Sequence, residues 1–514
     1  MTIETIEDNS KTKSLLLLGS LSAAYFVLYI VTNGNYGIFR DEFYYLACAD
    51  HLAWGYVDHP PLSIALLALS KAVLGDSIHA IRLLPALTAA ITVMVVGLIT
   101  RELGGKLFAQ ALAAISAMIA PYFLVLFSFF SMNSFDLLFW ALSFIIVIRI
   151  IKTENRKLWL VFGLVVGLGL LNKISLLYFG FSLVVAMLLT PHRRYLMDKY
   201  FWAGGAIALL LFLPHILWQV ANDWSTFEFM ANAKRYKIAA QGPVQFFLDQ
   251  ILSMHPLTFP VWMLGIVSFI FAKSMRPYRV LGYFYLIALA FLMLQKSKGY
   301  YLAPAYSVVL AGGACGIEAF IQDHPLRLAK PVLLTILLMG GIALAPMALP
   351  LLPVEKFVAY QKAIGLMPQT GENNPSGELP QYFADRFGWE NMAKVVAFIY
   401  KGLSPEVQTE CAIVTGNYGE AGALDYYRNK YGLPPAFSQH NNYFLWGPGN
   451  ISGRTIICLG ISPADLQESF AEVTAAAVIV SPYAMPYETN LTVYICRNLK
   501  KPVKQAWQEG KHFI

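Results

Sequence analysis

Charge is what this sequence has least of. Asp, Glu, Lys and Arg together make up 13% of its 514 residues, about half the quarter usual in globular chains. With 57% apolar residues and a mean hydropathy of +0.54, that shortage excludes disorder and an ordinary soluble enzyme. Cysteine is scarce as well: there are five, with no CxxC pair and no His/Cys cluster, which excludes a disulfide-rich scaffold and the recognised zinc motifs. Neither a Gly-Lys-Ser/Thr phosphate loop nor a Gly-x-Gly-x-x-Gly turn occurs, so no nucleotide is bound by those routes. The net charge of +7 is scattered between apolar stretches. It forms no basic stripe of the kind a nucleic-acid reader needs, and no nucleic-acid partner is expected.

Long apolar runs, by contrast, are abundant. The first extends from about Ser14 to Val31 behind Lys11 and Lys13. It exceeds a signal-peptide core and lacks a small-x-small cleavage site, so it reads as an uncleaved first helix. Further runs of spanning length lie at about 82–100, 107–127, 134–151, 158–171, 175–190, 201–219, 256–272, 279–294, 301–320 and 331–352, giving about eleven spans. With a cytoplasmic N-terminus, the short cytoplasmic links hold Arg101/Lys106, Arg149/Lys152/Arg156/Lys157, Arg193/Arg194/Lys199, Lys273/Arg276/Arg279 and Arg327/Lys330. The opposite links are longer and poorer in positive charge, as the positive-inside rule requires. The chain is therefore expected to be a multi-pass cell-membrane protein. Residues 1–352 would form the transmembrane domain, with loops 33–81 and 220–255 outside, and 353–514 a soluble extracytoplasmic domain, periplasmic in a Gram-negative cell.

That tail differs in kind. Short β-rich runs at Ala412–Thr415, Thr455–Leu459, Ala477–Val480 and Leu491–Cys496 alternate with helix-like Trp389–Tyr400 and Glu420–Tyr431, which predicts a small α/β domain. Cys411, Cys458 and Cys496 fall in it, where one disulfide or three half-buried small residues are both open readings.

The densest chemistry lies just beyond the first span, in Phe39-Arg40-Asp41-Glu42-Phe43-Tyr44-Tyr45 and Gly55-Tyr56-Val57-Asp58-His59-Pro60-Pro61-Leu62. Carboxylates at the membrane edge are costly to place and mark sites by default. Phe43, Leu46, Ala47 and Leu52 suit a short interfacial helix with Asp41 at its positive end. Pro60-Pro61 start a second helix to about Leu74, too short to span comfortably. Asp41 as a plain helix cap and Asp58-His59 as a local turn remain the bland alternatives. Further in, Asp136 lies inside the fourth run and should face a cavity. Lys173, Lys296 and Lys298 sit at span ends, where a lysine either anchors a phosphate or reaches the headgroups. Tyr300 and Tyr301 either donate to the same phosphate or form an aromatic belt. His255 before Pro256 reads as a helix-start residue.

The Asp-Glu pair and the Tyr-Val-Asp-His-Pro-Pro-Leu run resemble the first outer loop of glycosyltransferase family 39, which includes dolichyl-phosphate-mannose protein mannosyltransferases, lipid A aminoarabinose transferases and many bacterial relatives. Arg82-Leu83-Leu84-Pro85, Ser134-Phe135-Asp136-Leu137-Leu138-Phe139-Trp140, Gly169-Leu170-Leu171-Asn172-Lys173 and Lys296-Ser297-Lys298-Gly299-Tyr300-Tyr301 match in order. Tyr418-Gly419-Glu420-Ala421-Gly422 and Ser438-Gln439-His440-Asn441-Asn442 resemble only the bacterial branch.

The resemblance implies a mainly α, GT-C-type transmembrane bundle with a small C-terminal α/β domain, and inverting transfer of a sugar from a polyprenyl-phosphate donor on the extracytoplasmic face. The acceptor, whether lipid, glycan or protein, stays open. On the family's motif Asp41 is the candidate general base, with Glu42 beside it. Asp58, His59, Asp136, Lys173, Lys298, Tyr300 and Tyr301 are the candidate substrate contacts. Such chemistry needs a base for the acceptor proton and cations for the departing phosphate. Some GT-C enzymes share a divalent cation with a loop acid, but Asp58, His59, Asp136 and His255 match no metal spacing, so no metal ligand is assigned. A transporter or flippase of a lipid-linked sugar is the alternative. It would also want acids and lysines in a cavity, yet no repeat of two similar halves is present.

Overall fold

The computed structural model describes residues 3–239, 241–324, 326, 328–368 and 372–514. Arg327, one of the predicted cytoplasmic cations, lies outside them. The chain forms two compact units that do not follow chain order. One comprises Met1–Asn35, His79–Leu217 and Ala240–Pro353; the other Tyr36–Ile78, Trp218–Ala239 and Val354–Ile514.

The first unit is helical, and each of the eleven apolar runs contains a helix. Seven are long and apolar enough to cross a membrane on their own: Ser10–Thr32, Ile78–Glu102, Met132–Thr153, Lys199–Ala221, Arg276–Leu294, Gly299–Gln322 and Ala329–Met347. Two more qualify only as bent pairs, Leu176–Leu188 with Pro191–Met197 at 118° and Pro243–Ser253 with Pro256–Phe271 at 97°. Proline explains both bends, since it disfavours helical geometry in the residue before it; His255, ahead of Pro256, has φ +73°. The remaining two runs hold short helices. Leu107–Ile119 stops at an extended Ala120 before Pro121. Leu158–Asn172, at 15 residues, is about 22 Å long against a core of about 30 Å. Length and composition thus support seven to nine crossings.

The bundle packs through aromatics and close backbone contact. Trp140, Phe144, Phe179 and Phe284 interlock with ring centroids 4.8–6.3 Å apart, within the range of favourable ring pairs. Between Phe259–Phe271 and Tyr306–Gln322, a Cβ on Gly265 would fall 1.9 Å from the Val309 carbonyl oxygen, so this pair needs a small residue at the crossing.

The second unit carries a five-stranded sheet: β1 Ala412–Thr415, β2 Ala436–Ser438, β3 Thr455–Leu459, β4 Phe470–Ile479 and β5 Leu491–Leu499. The order is β2-β1-β3-β5-β4. β1 runs parallel to both β2 and β3, whereas β5 pairs antiparallel with β3 and β4. The Tyr418–Tyr431 helix makes the β1-to-β2 crossover. The expected α/β tail is therefore present. The short β2 was not legible, and the Ala477–Val480 run is the end of a longer strand. All five cysteines are free and buried, and Cys458 and Cys496 meet side chain to side chain in the sheet. The same unit contains the helices of the first loop, Arg40–Asp50 and Leu62–Leu74, and the Ser225–Asn232 helix, which continues into a π-helical turn at Ala233–Lys237.

Candidate active site

The two adjacent acids of the first loop point to different jobs. Glu42 is fully buried and its Oε2 accepts from the Phe39 backbone N–H at 2.8 Å, while the Glu42 N–H donates to the Phe39 carbonyl at 2.9 Å. This closes the helix's first turn in the manner of a capping box. Asp41 is only half-buried. Its Oδ1 accepts from the Tyr418 hydroxyl at 2.9 Å. Burial pushes the Asp41 carboxyl above its usual range, Lys237, Arg40 and the Tyr418 hydrogen bond pull it back, and Asp58 pushes it further up.

Asp58 and His59 complete the group. The Tyr44 hydroxyl donates to Asp58 Oδ1 at 2.9 Å. His59 is buried; its Nδ1 pairs with the Pro60 carbonyl at 3.0 Å. His59 Nε2 stands 3.8 Å from Asp58 Oδ1 and has no hydrogen-bond partner among the described residues. The Asn442 side-chain oxygen accepts from the Val57 N–H at 2.7 Å and lies 3.1 Å from the Tyr44 hydroxyl. Asp41, Glu42, Asp58 and His59 are thus gathered in one unit.

The rest of the predicted set gathers in the other. Asp136 is buried near the start of its span, where Oδ1 accepts from Ser175 at 2.5 Å. Lys173 Nζ lies 3.4 Å from Asp136 Oδ2 and donates to Asn133 Oδ1 at 2.7 Å. The same ammonium sits 4.9 Å above the Tyr301 ring and 5.6 Å from that of Tyr300, a cation–π seat. Lys298 is half-buried at the start of the 3₁₀ turn Gly299–Ala305 that carries both tyrosines. His255 does start a helix: its Nδ1 accepts from the Leu257 N–H at 3.2 Å.

Sequence reading assigned no role to five participants. Arg40, beside Asp41 in the chain, is buried, donates to the Tyr487 hydroxyl at 3.0 Å and stacks 4.9 Å over Tyr418. Tyr418 and Asn442 lie in the two tail strings already singled out. Lys237, in a loop without a decodable motif, pairs with Glu372 at 3.9 Å and is the foremost charge on Asp41. Asp249 was also unmarked; Tyr122 donates to one of its oxygens and Ser253 to the other at 3.0 Å. Among the described residues no three His, Cys, Asp or Glu side chains are grouped so as to hold a metal ion.

Residues 58–218 match the profile of the dolichyl-phosphate-mannose-protein mannosyltransferase family. Among solved structures, ArnT from Cupriavidus metallidurans bound to undecaprenyl phosphate superposes with a TM-score of 0.59 at 14% identity, covering 94% of this chain and 98% of that one. Its apo state gives the same values. The Archaeoglobus fulgidus oligosaccharyltransferase tethered to an acceptor peptide reaches 0.52 at 13% identity over 80% of this chain and 63% of that one. No curated protein sequence matches the chain. At such identities the structural likeness is one of fold. The chain is a multi-span membrane protein of the GT-C fold, and the resemblance to glycosyltransferase family 39 read from its motifs stands on the profile match at 58–218.

Proposed function

We propose that the chain is a membrane glycosyltransferase that moves a sugar from a polyprenyl-phosphate donor to an acceptor on the extracytoplasmic face, with inversion, and that Asp41 is the base. The observation that carries the assignment is the contrast between the neighbouring acids. Glu42 is spent on its own helix, whereas Asp41 is half-buried and keeps Oδ2 without a protein hydrogen bond among the described residues. An oxygen so placed can take the acceptor's proton as the acceptor oxygen attacks the anomeric carbon and the phosphate departs. ArnT, whose fold the chain shares, is bound to undecaprenyl phosphate, which supports a lipid-phosphate donor here.

The other roles follow from placement. Asp58 and His59 orient the acceptor. Lys173 already faces Asp136 and Asn133, so its charge compensates the buried acid, while Lys298, Tyr300 and Tyr301, on and beside one 3₁₀ turn, meet the phosphate as a point charge with hydroxyl donors. Lys and Arg at the span ends put the N-terminus in the cytoplasm and residues 353–514 outside.

The test is transfer of labelled sugar from a panel of polyprenyl-phosphate sugars, using membranes with wild type or Asp41→Asn at matched levels. Product from wild type alone supports the reading, and the labelled species names the acceptor class. Full transfer by Asp41→Asn overturns the base assignment. Donor translocation in proteoliposomes without transfer favours the flippase alternative.

A further inference from the structure

We infer that the C-terminal α/β domain supplies a positioning residue to this site: Tyr418, in the first turn of the Tyr418–Tyr431 helix, holds the Asp41 carboxylate in place through its hydroxyl. The inference rests on the reading of Asp41 as the base.

The hydroxyl donates to Oδ1 at 2.9 Å, which leaves Oδ2 for a substrate proton. The Tyr418 ring is itself held. Arg40 stacks on it at 4.9 Å, and the Tyr44 and His440 rings each lie 4.7 Å away. The backbone beneath is held as well, because Asn417 Oδ1 caps the helix by accepting from the Gly419 and Glu420 N–H groups at 2.9 and 3.0 Å. Such a cap fixes the helix start.

The approach of the two helices depends on a missing side chain. A Cβ on Gly422 would stand 2.8 Å from the Phe43 carbonyl carbon, too close for any real contact, so glycine lets the Tyr418–Tyr431 helix lie against Arg40–Asp50. The second loop acid is tied to the same domain through Tyr44 and Asn442. Asp41 and Asp58 are therefore both set, directly or through Tyr44, by residues nearly 400 positions away.

The charged and titratable groups facing Asp41 are Lys237 from the π-helical turn, Arg40 on its own helix, Asp58 from the loop and Tyr418; Asp385 also senses its charge. Removing the Tyr418 hydroxyl deletes one donor that favours the carboxylate. The Asp41 titration should then move to higher pH while the other groups stay.

The experiment uses full-length protein in membranes and two readouts. The first is the pH dependence of kcat and KM for sugar transfer by wild type, Tyr418→Phe and Asp41→Asn. The second needs no turnover: carbodiimide labels protonated carboxyls, and the pH midpoint for labelling Asp41 is read by peptide mass spectrometry. Tyr418→Phe is expected to lower kcat roughly 10- to 100-fold through misplacement of the base, with donor KM unchanged. It should also raise both the acidic limb of the profile and the labelling midpoint by about half a pH unit or more. An unchanged midpoint overturns the inference. Loss of activity in Asp41→Asn with a wild-type-like Tyr418→Phe overturns only the role of Tyr418, whereas full activity in Asp41→Asn overturns the base reading and this inference with it. Gly422→Ala, which displaces the hydroxyl but keeps it, should shift the midpoint in the same direction, and it serves if Tyr418→Phe does not fold.

Discussion

Lys173 and Asp136 form an ion pair at 3.4 Å across two helices of the bundle, with the lysine ammonium seated over the Tyr301 ring. Asp136 is almost fully buried, and breaking a buried pair by removing one partner costs about 3–5 kcal/mol because the other charge is left uncompensated. Lys173→Met is therefore expected to destabilise the protein more than the double variant Lys173→Met/Asp136→Leu. Thermal unfolding of the detergent-solubilised wild type, Lys173→Met, Asp136→Leu and the double variant measures the coupling. A double variant that keeps its fold and its donor affinity assigns Lys173 to charge compensation; loss of donor affinity assigns it to the phosphate.

Asp41 and Glu42 are expected to separate cleanly by what each substitution damages. Glu42→Ala removes the acceptor for the Phe39 N–H, which should lower stability by about 1–2 kcal/mol while transfer persists in the folded fraction. Asp41→Asn should melt like wild type and lose transfer. Melting curves run beside the transfer assay decide this.

Three carboxyls of the sheet-bearing unit give its stability a pH dependence. Burial raises Asp385 to about 7 and Glu420 to about 7, and burial together with its neighbour Glu420 raises Glu488 to about 8. Arg40 opposes all three shifts. Their folded values exceed the unfolded ones, so the folded state binds more protons between the two, and stability falls as pH rises. The contribution is complete below about pH 4 and is lost as pH climbs through 7 to 8. The unfolding midpoint of the intact protein should fall between about pH 5.5 and about 8.5. Glu488→Gln, neutral throughout, should flatten that slope.

The proposed topology makes its own prediction. Alkaline phosphatase fused after Ile514 should be active only if the tail lies outside the cytoplasm, whereas a fusion at Lys152, within the basic link Arg149–Lys157, should be inactive. Reversal of the two would overturn the orientation drawn from the lysines and arginines.

Much of this architecture was legible. Apolar runs and their basic flanks located all eleven helical stretches, and Pro60-Pro61 announced the helix at Leu62–Leu74. The crossing count was less secure, since composition does not show that a helix bends by 97° or 118° or stops after 13 or 15 residues. The loop acids were visible as a group. Nothing local, however, separated Asp41 from Glu42, because both suit the first turn of a helix.

The sequence by itself determined that the chain crosses a membrane many times, where most helices lie and which loop concentrates acids, because hydrocarbon burial and helix periodicity are written in runs of neighbouring residues. Tertiary structure decided that Glu42 closes its own helix turn while Asp41 meets Tyr418, that Lys173 answers Asp136, and that Lys237 attends Asp41. Apart from the local Glu42 cap, these are contacts between segments far apart in the chain. The side chains concerned carry no shared pattern in sequence; packing of the Arg40–Asp50 helix against the Tyr418–Tyr431 helix, across a glycine, brings the Tyr418 hydroxyl within hydrogen-bond reach of Asp41.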